Sequence, residues 1–345
     1  MKIAVHVNED ELFDKKWITF LERKDIEVIR INIFSKDALD KIKVCDGLMW
    51  HFRHIPSDKQ LANKILPVIE EVLNIPVWPN FNSRWHFDEK IAQHYLLSAL
   101  QVPSVKSWVF WNYDEAAQFI EDEAQFPLVF KLSVGAGAAN VVKVSSKDEA
   151  ELLITKMFNE GIFPYSINEY SQKSKLVSRI RNSCKYVIGK KNIPLPEYYE
   201  IQKGYVYFQS FLEGNDYDIR ITVIGDRIFG FIRYNRKDDF RASGSGNIDV
   251  NPDNIPIETI KIAYNVSKSN GFQSMAYDFL KDKNGMYVIN EMSYGYVDVA
   301  IYDCPGYWDP YMNWHKGHIW PEEAHVEDFI RYINTKEERE RSYYA

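Results

Sequence analysis

The sequence has little cysteine. Cys45, Cys184 and Cys304 are the only three in 345 residues, and no two form a CxxC pair. A zinc knuckle or a thioredoxin-like redox site is therefore unsupported, and an odd, sparse set fits a reducing cytoplasm better than a disulfide framework. A basic excess is also missing: 42 Lys and Arg stand against 49 Asp and Glu, for a net charge of −7. That argues against a general nucleic-acid binder while leaving room for a local basic pocket that takes a small anion. No apolar run approaches the roughly 18 residues that a membrane span needs. The opening run Met1–Val7 is too short for a signal peptide and gives way at once to Asn8-Glu9-Asp10-Glu11. No Gly-rich phosphate loop follows this first run, so the dinucleotide-binding fingerprint is absent. There is no internal repeat and no low-complexity segment.

What is abundant is aromatic: 15% of the chain, with 22 Tyr, 20 Phe and 9 Trp. Some of these rings are expected on a binding surface and most in the core. Hydrophobic residues at 46% and charged residues at 26% are globular values, and the length suits two or three packed subdomains. Strand-like runs at Ile3–Val7, Glu27–Ile33 and Val44–His51 alternate with helical patterns at Asp14–Arg23 and Ser57–Leu73. This alternation predicts a small parallel α/β domain over residues 1–80. A helix follows over Asp88–Leu100. Phe126–Val144 reads as strand, Gly/Ala turn, strand. Ser146 with Glu149 three residues on reads as a helix cap. From Tyr205 the runs YVYFQSFL, DIRITVIG and RIFGFIRYN read as antiparallel strands. SMAYDFL and MYVINEMS read as a hairpin around Asp282–Gly285, after a helix at Ile257–Ser269.

Several residues in these runs suit chemistry. If Leu280 faces Tyr287, Asp278 faces Ile289 and Ala276 faces Glu291. Both acids then point to one side as diagonal neighbours, about 7–8 Å apart at the backbone. One hard cation fits between them, and Ser293 faces the same way. A one-residue slip would separate the acids and leave an ordinary solvated hairpin. Arg220 and Arg233 sit inside otherwise apolar strands, where a guanidinium needs an anionic partner. A carboxylate such as Asp218 would serve, and so would phosphate. Lys131 lies in the apolar run PLVFKL, next to Gly135 and Gly137, which would let backbone amides close over phosphates. Lys90 opens its helix in FDEK and suits either a phosphate contact or the surface. The segment Gln209-Ser210-Phe211-Leu212 ends a strand that can offer backbone groups to an adenine edge. His51, Arg53 and His54 follow the third strand of the first domain, where open α/β sheets bind ligands.

Taken in order, DEK, FPLVFK with its Gly loop, YFQSFLEG, DIR, FIRYN, DDFR with SGSGN, AYDFL and INEMS resemble the ATP-grasp superfamily. The likeness is greatest to the ligases that add glutamate to a ribosomal protein or make bacterial glutathione. It covers roughly Asn82–Ser293. The resemblance implies an α/β fold, α+β in its catalytic half: a small parallel domain ahead of a two-subdomain ATP-grasp core. The expected divisions are 1–80; 81–125 as linker and helical part of the central domain; 126–212 as the lid, with an insertion at 159–203; and 213–345 as the catalytic subdomain with its aromatic end. By the same resemblance Lys131 contacts adenine and the α-phosphate, and Lys90 a phosphate. Gln209, Ser210, Phe211 and Leu212 form the adenine hinge. Asp218 is the ribose-side acid, with Arg220 in the same motif. Arg233 reaches the transferred phosphate, and Arg241, beside Gly244 and Gly246, lies near an acyl phosphate. Asp278 and Glu291 bind magnesium. The family usually reads Glu-x-Asn where this chain has Glu291-Met292-Ser293, so Ser293 is a shorter, neutral ligand.

The function implied is ATP-dependent carboxylate–amine ligation, with ATP and one or two Mg2+ ions, Mn2+ being an allowed substitute. The partners would be a small carboxylate and an amine, such as a sugar acid, amino acid or peptide, in the cytoplasm. Nucleic acid and membrane are not expected, and a homodimer is left open. An ATP-grasp kinase that stops at phosphorylation and a nucleotide-binding module without turnover are the alternatives. Two further features bear on the acceptor. The aromatic run from Tyr294 to Trp320 suits sugar rings or internal packing. The basic run Lys173–Lys191 suits an anionic acceptor or a solvated helix face.

Overall fold

The computed structural model describes residues 1–8, 13–135, 140–164, 200–236 and 246–344, with side chains to 336. Three sheets organise it. The first is four-stranded, in the order β2-β1-β3-β4. It comprises β1 (Lys2–His6), β2 (Glu27–Ile31), β3 (Gly47–Met49) and β4 (Val77–Trp78), all parallel. Ile3, Ala4, Val5, Leu48 and Met49 are wholly buried, because helices cover both faces of a parallel sheet. Those helices are Phe13–Glu22, Ala38–Ile42 and Pro56–Pro67, the last continuing as a π-helical turn, Val68–Val72.

The second sheet is antiparallel, in the order β5-β8-β6-β7. Its strands are β5 (Ser107–Phe110), β6 (Leu128–Lys131), β7 (Val141–Val144) and β8 (Val206–Ser210). The helices Tyr113–Asp122 and Lys147–Phe158 close its apolar face over Phe119, Leu128, Phe130, Leu153 and Phe208, which form a core of their own. Ser146 caps the second helix by accepting from the Glu149 amide, and Glu149 reaches back to the Ser145 amide. β8 therefore belongs with β5 and β6, although it reads as the first of an antiparallel series.

The third sheet runs β13-β12-β9-β10-β14-β15, with β11 also on β10. The strands are β9 (Tyr217–Ile224), β10 (Arg227–Tyr234), β11 (Ile248–Asp249), β12 (Ser274–Lys281), β13 (Tyr287–Ser293), β14 (Gly306–Trp308) and β15 (Trp314–Lys316). Its apolar face packs on the helix Ile257–Ser269 and shares one core with the first sheet. The C-terminal helix Pro321–Tyr344 lies against Phe13–Glu22 and seals that junction through Ala324, Val326, Phe329 and Ile333. No helix among the described residues is long and apolar enough to cross a membrane.

The hairpin register differs from the expected one. Lys281, not Leu280, pairs with Tyr287, and Asp278 pairs with Glu291 instead of Ile289. The Asp282 carboxylate causes the first shift by accepting from the Asn284 and Met286 amides, which fixes the turn one residue over. A bulge between Asp278 and Phe279 adds the second shift, with Asn290 as the extra residue. The two acids are thus directly opposite each other, not diagonal.

Most of the aromatic C-terminal run packs on itself. Tyr294 and Tyr296 are buried. Tyr302 stacks on Trp320 at 4.0 Å, Tyr307 on His315 at 5.1 Å, and Trp308 meets Trp314 at 4.6 Å. Tyr311 is the exception, at 85% exposed.

Candidate functional site

Cross-strand partners point to the same face of a sheet. Glu291 on β13 pairs with Asp278 on β12, Asp278 with Arg220 on β9, and Asp218 on β9 with Arg233 on β10. A row of five charged residues therefore crosses four strands on the face away from the helix Ile257–Ser269. Arg220 grips Asp278 with two hydrogen bonds, Nε to Oδ1 at 2.7 Å and an Nη to Oδ2 at 2.8 Å. Arg233 grips Asp218 in the same forked way, at 2.7 and 2.6 Å, and also reaches Asp278 Oδ2 at 2.7 Å. Burial opposes the charge on Asp278, but the two guanidiniums outweigh it and hold the carboxyl well below the usual range. Asp218 moves the other way. Burial and the neighbouring Asp278 charge push it up against the pull of Arg233 and Arg220.

Two lysines close on this row from the second sheet and the helix Lys90–Ala99. Lys131, the last residue of β6, is buried and donates to Asn290 Oδ1 at 3.2 Å. Burial pushes its ammonium down to about 8, against the opposing pull of Glu291. Lys90 donates to the Gly135 carbonyl at 2.7 Å and stands 3.9 Å from a Glu291 oxygen. A cavity of about 20 Å³, room for roughly one water, lies here among Lys90, His94, Lys131, Tyr207, Gln209 and Asn290.

The remaining expected residues are placed as follows. Gln209 is buried and donates to Ser107 Oγ on β5 at 3.1 Å. The Ser210 amide is used by the Lys106 carbonyl, Phe211 lies under the Lys143 ammonium at 4.0 Å, and Leu212 O accepts from Asn215. Ser293 Oγ is turned into its own loop, donating to Gly295 O and accepting from Gly295 N. Arg241 and Gly244 lie outside the described residues, as do Cys184 and the run Lys173–Lys191. His51 stacks on Phe13 at 4.3 Å, and Arg53 forks onto Asp58, so both take part in the packing of the first domain.

Two further residues at the site carry little signal in the sequence. Asn290 was hidden by the bulge, although it directly precedes Glu291. Asp88 is the first acid of FDEK. It sits at φ 50° and accepts from the Gly135 amide at 2.8 Å, so it anchors the start of the Gly/Ala turn. Gly135 itself has φ 112°, and an added Cβ would meet Asn140 Nδ2 at 2.1 Å. Gly135→Ala should therefore destabilise the protein by about 1–3 kcal/mol, read as a lowered urea midpoint at unchanged m-value.

Residues 187–295 match the model of the RimK-like ATP-grasp domain. Solved structures extend the likeness to the whole chain. A RimK domain protein ATP-grasp from Sphaerobacter thermophilus superposes with a TM-score of 0.54 at 11% identity, over 95% of this chain and 99% of that one. This is an ATP-grasp fold. The D-alanine–D-alanine ligase of Bacillus anthracis gives a TM-score of 0.56 at 16% identity, over 99% of each chain. A RiPP-associated ATP-grasp ligase from Chryseobacterium gregarium, solved with ADP and a leader and core peptide, gives 0.57 at 12% identity, over 96% of this chain and 97% of that one. No curated protein matches the sequence. The expected ATP-grasp fold, a parallel first domain ahead of antiparallel sheets, is the one observed.

Proposed function

We propose that this ATP-grasp protein is a carboxylate–amine ligase that activates a small carboxylate with ATP as an acyl phosphate. The observation that carries this reading is the convergence of Lys90 and Lys131 on the Glu291 end of the charged row. In this reading the lysines would serve phosphates and the carboxylates a metal. Charges so arranged stabilise phosphoryl transfer by position and electrostatics, without a protein nucleophile.

The residues present fit magnesium. No group of three or more His, Cys, Asp or Glu among the described residues is gathered for a metal. An ion here would rest on two carboxylates and on phosphate oxygens, which is the pattern Mg2+ favours. Asp278 Oδ1 accepts a single hydrogen bond and keeps a lone pair, and Glu291 is 37% exposed at its side chain. Asp278 and Glu291 would hold the ion, with Ser293 contributing only if its Oγ leaves Gly295. The ion would supply Lewis-acid neutralisation of phosphate charge. Lys131 and Lys90 would bind phosphates, the latter by releasing the Gly135 carbonyl. Arg233 and Arg220 would hold Asp278 in place, and Arg233 would offset charge on the transferred phosphoryl group. Gln209 to Leu212 would face adenine, and Arg241 would serve the acyl phosphate. The cavity between Lys131 and Gln209 has room for about one water, so nucleotide entry would need the sheet of β5 to β8 to move away from β13.

The test is ADP release with Mg-ATP across panels of carboxylates and amines. Turnover should need both partners. ADP formed with the carboxylate alone, together with a stable phosphorylated product, would indicate a kinase instead.

A further inference from the structure

A second cavity, of about 470 Å³, opens far from the charged row. It lies where the β9–β10 turn at Gly225-Asp226 meets the C-terminal helix and the end of β4 at Trp78. Gly225 follows Ile224, five positions along from Arg220, the nearer of the two row residues on β9. At about 3.3 Å per residue this puts the cavity roughly 17 Å away, toward the opposite end of the strands. Its volume is in the range of small-molecule sites.

The lining is mixed. Tyr332, 51% exposed, lines it together with the buried Phe329 and Trp78. Lys268, Arg331 and Lys336 stand against two carboxylates, Asp226 and Asp328, in a protein whose overall charge is −7. Lys268 is matched by Asp226 at 2.6 Å. Lys336 has no carboxylate partner among the described residues. Its two contacts are neutral oxygens of Asn74, the carbonyl at 2.7 Å and Oδ1 at 2.6 Å. Arg331 is 3.7 Å from Asp328 and mostly exposed. Asp328 Oδ1 takes Arg227 at 3.2 Å, while Oδ2 is sealed against Gly225, with no hydrogen-bond partner among the described residues and no surface open to the cavity. His325, at the inner end, is already bonded to the Tyr296 hydroxyl and held neutral by burial.

We propose that this cavity is a second small-molecule site, for an anion that also carries a planar ring. The anion would meet Lys336 and Arg331, and the ring would lie on Tyr332. Nucleoside monophosphates and aromatic amino acids both have this chemistry, and two arms of one experiment separate them.

Uridine monophosphate and L-phenylalanine are titrated calorimetrically into the full-length protein, with ADP and magnesium present throughout. Two variants alter exposed positions remote from the charged row: Tyr332→Ala removes the ring face, and Thr335→Trp fills the cavity. Thermal melts check that both are folded. At least one probe is expected to bind the unaltered protein, at least tenfold more weakly to Tyr332→Ala, and not at all to Thr335→Trp. Absence of binding by both probes up to about 10 mM, weaker than any useful site affinity, overturns the proposal. So does binding that survives Thr335→Trp.

Discussion

Glu291→Gln should lower the rate of ADP release by roughly 10²–10³, the loss typical of one misplaced charge-stabilising group, while leaving the melting temperature nearly unchanged. The substitution keeps shape and removes the charge. Glu291 is 37% exposed at its side chain, and its nearest cation, Lys90, is 3.9 Å away and already bonded to Gly135. Stability should shift by no more than about 0.5 kcal/mol, as for other exposed positions. Near-normal turnover in this variant would overturn the proposal that Glu291 holds a metal. Asp278→Asn is a different experiment. Its carboxylate compensates two guanidiniums inside the sheet face. Breaking a buried ion pair from one side costs about 3–5 kcal/mol, so this variant should lose both activity and stability. Loss of turnover in Asp278→Asn alone would therefore not identify a metal ligand.

The residues legible in the sequence were those whose surroundings were locally contradictory. Lys131 in PLVFKL and the arginines in IRIT and FIRYN are charges inside apolar strands. All three are found in polar contacts, Lys131 across from the second sheet to Asn290 of the third and Arg233 with the Asp218 partner the sequence offered. The parallel first sheet was legible because buried parallel strands leave continuous apolar runs. What stayed hidden was set by tertiary context. The short strand β5 has no alternation to reveal it and is ordered by pairing with β8. The hairpin register was decided by the Asp282 turn and by a bulge, and periodicity within a strand carries no signal for either. The aromatic run could not reveal whether its rings face a ligand or one another, because ring count is the same in both cases.

Nucleotide affinity should weaken as pH rises through about 8, and Lys131→Met should abolish that dependence while lowering affinity overall. The cause is burial: it pushes the Lys131 ammonium down to about 8, from an ordinary 10.5. Only the charged form attracts phosphate, and bound phosphate would in turn restore the charge, so protonation and binding are linked. Below pH 8 the lysine is already charged and affinity is flat. Above it, each further pH unit costs up to about tenfold in Kd until another group intervenes. Stability without nucleotide should respond with the opposite sign. The folded lysine loses its proton before the unfolded one does, so between pH 8 and 10.5 the unfolded chain binds more protons and this group favours folding increasingly as pH rises. Calorimetric titration with a non-hydrolysable ATP analogue at pH 7, 8 and 9 measures the first effect, and urea midpoints of unaltered protein and Lys131→Met over the same range measure the second. A nucleotide Kd that does not change from pH 7 to 9 would overturn the linkage, showing that Lys131 either keeps its proton across this range or does not contact phosphate.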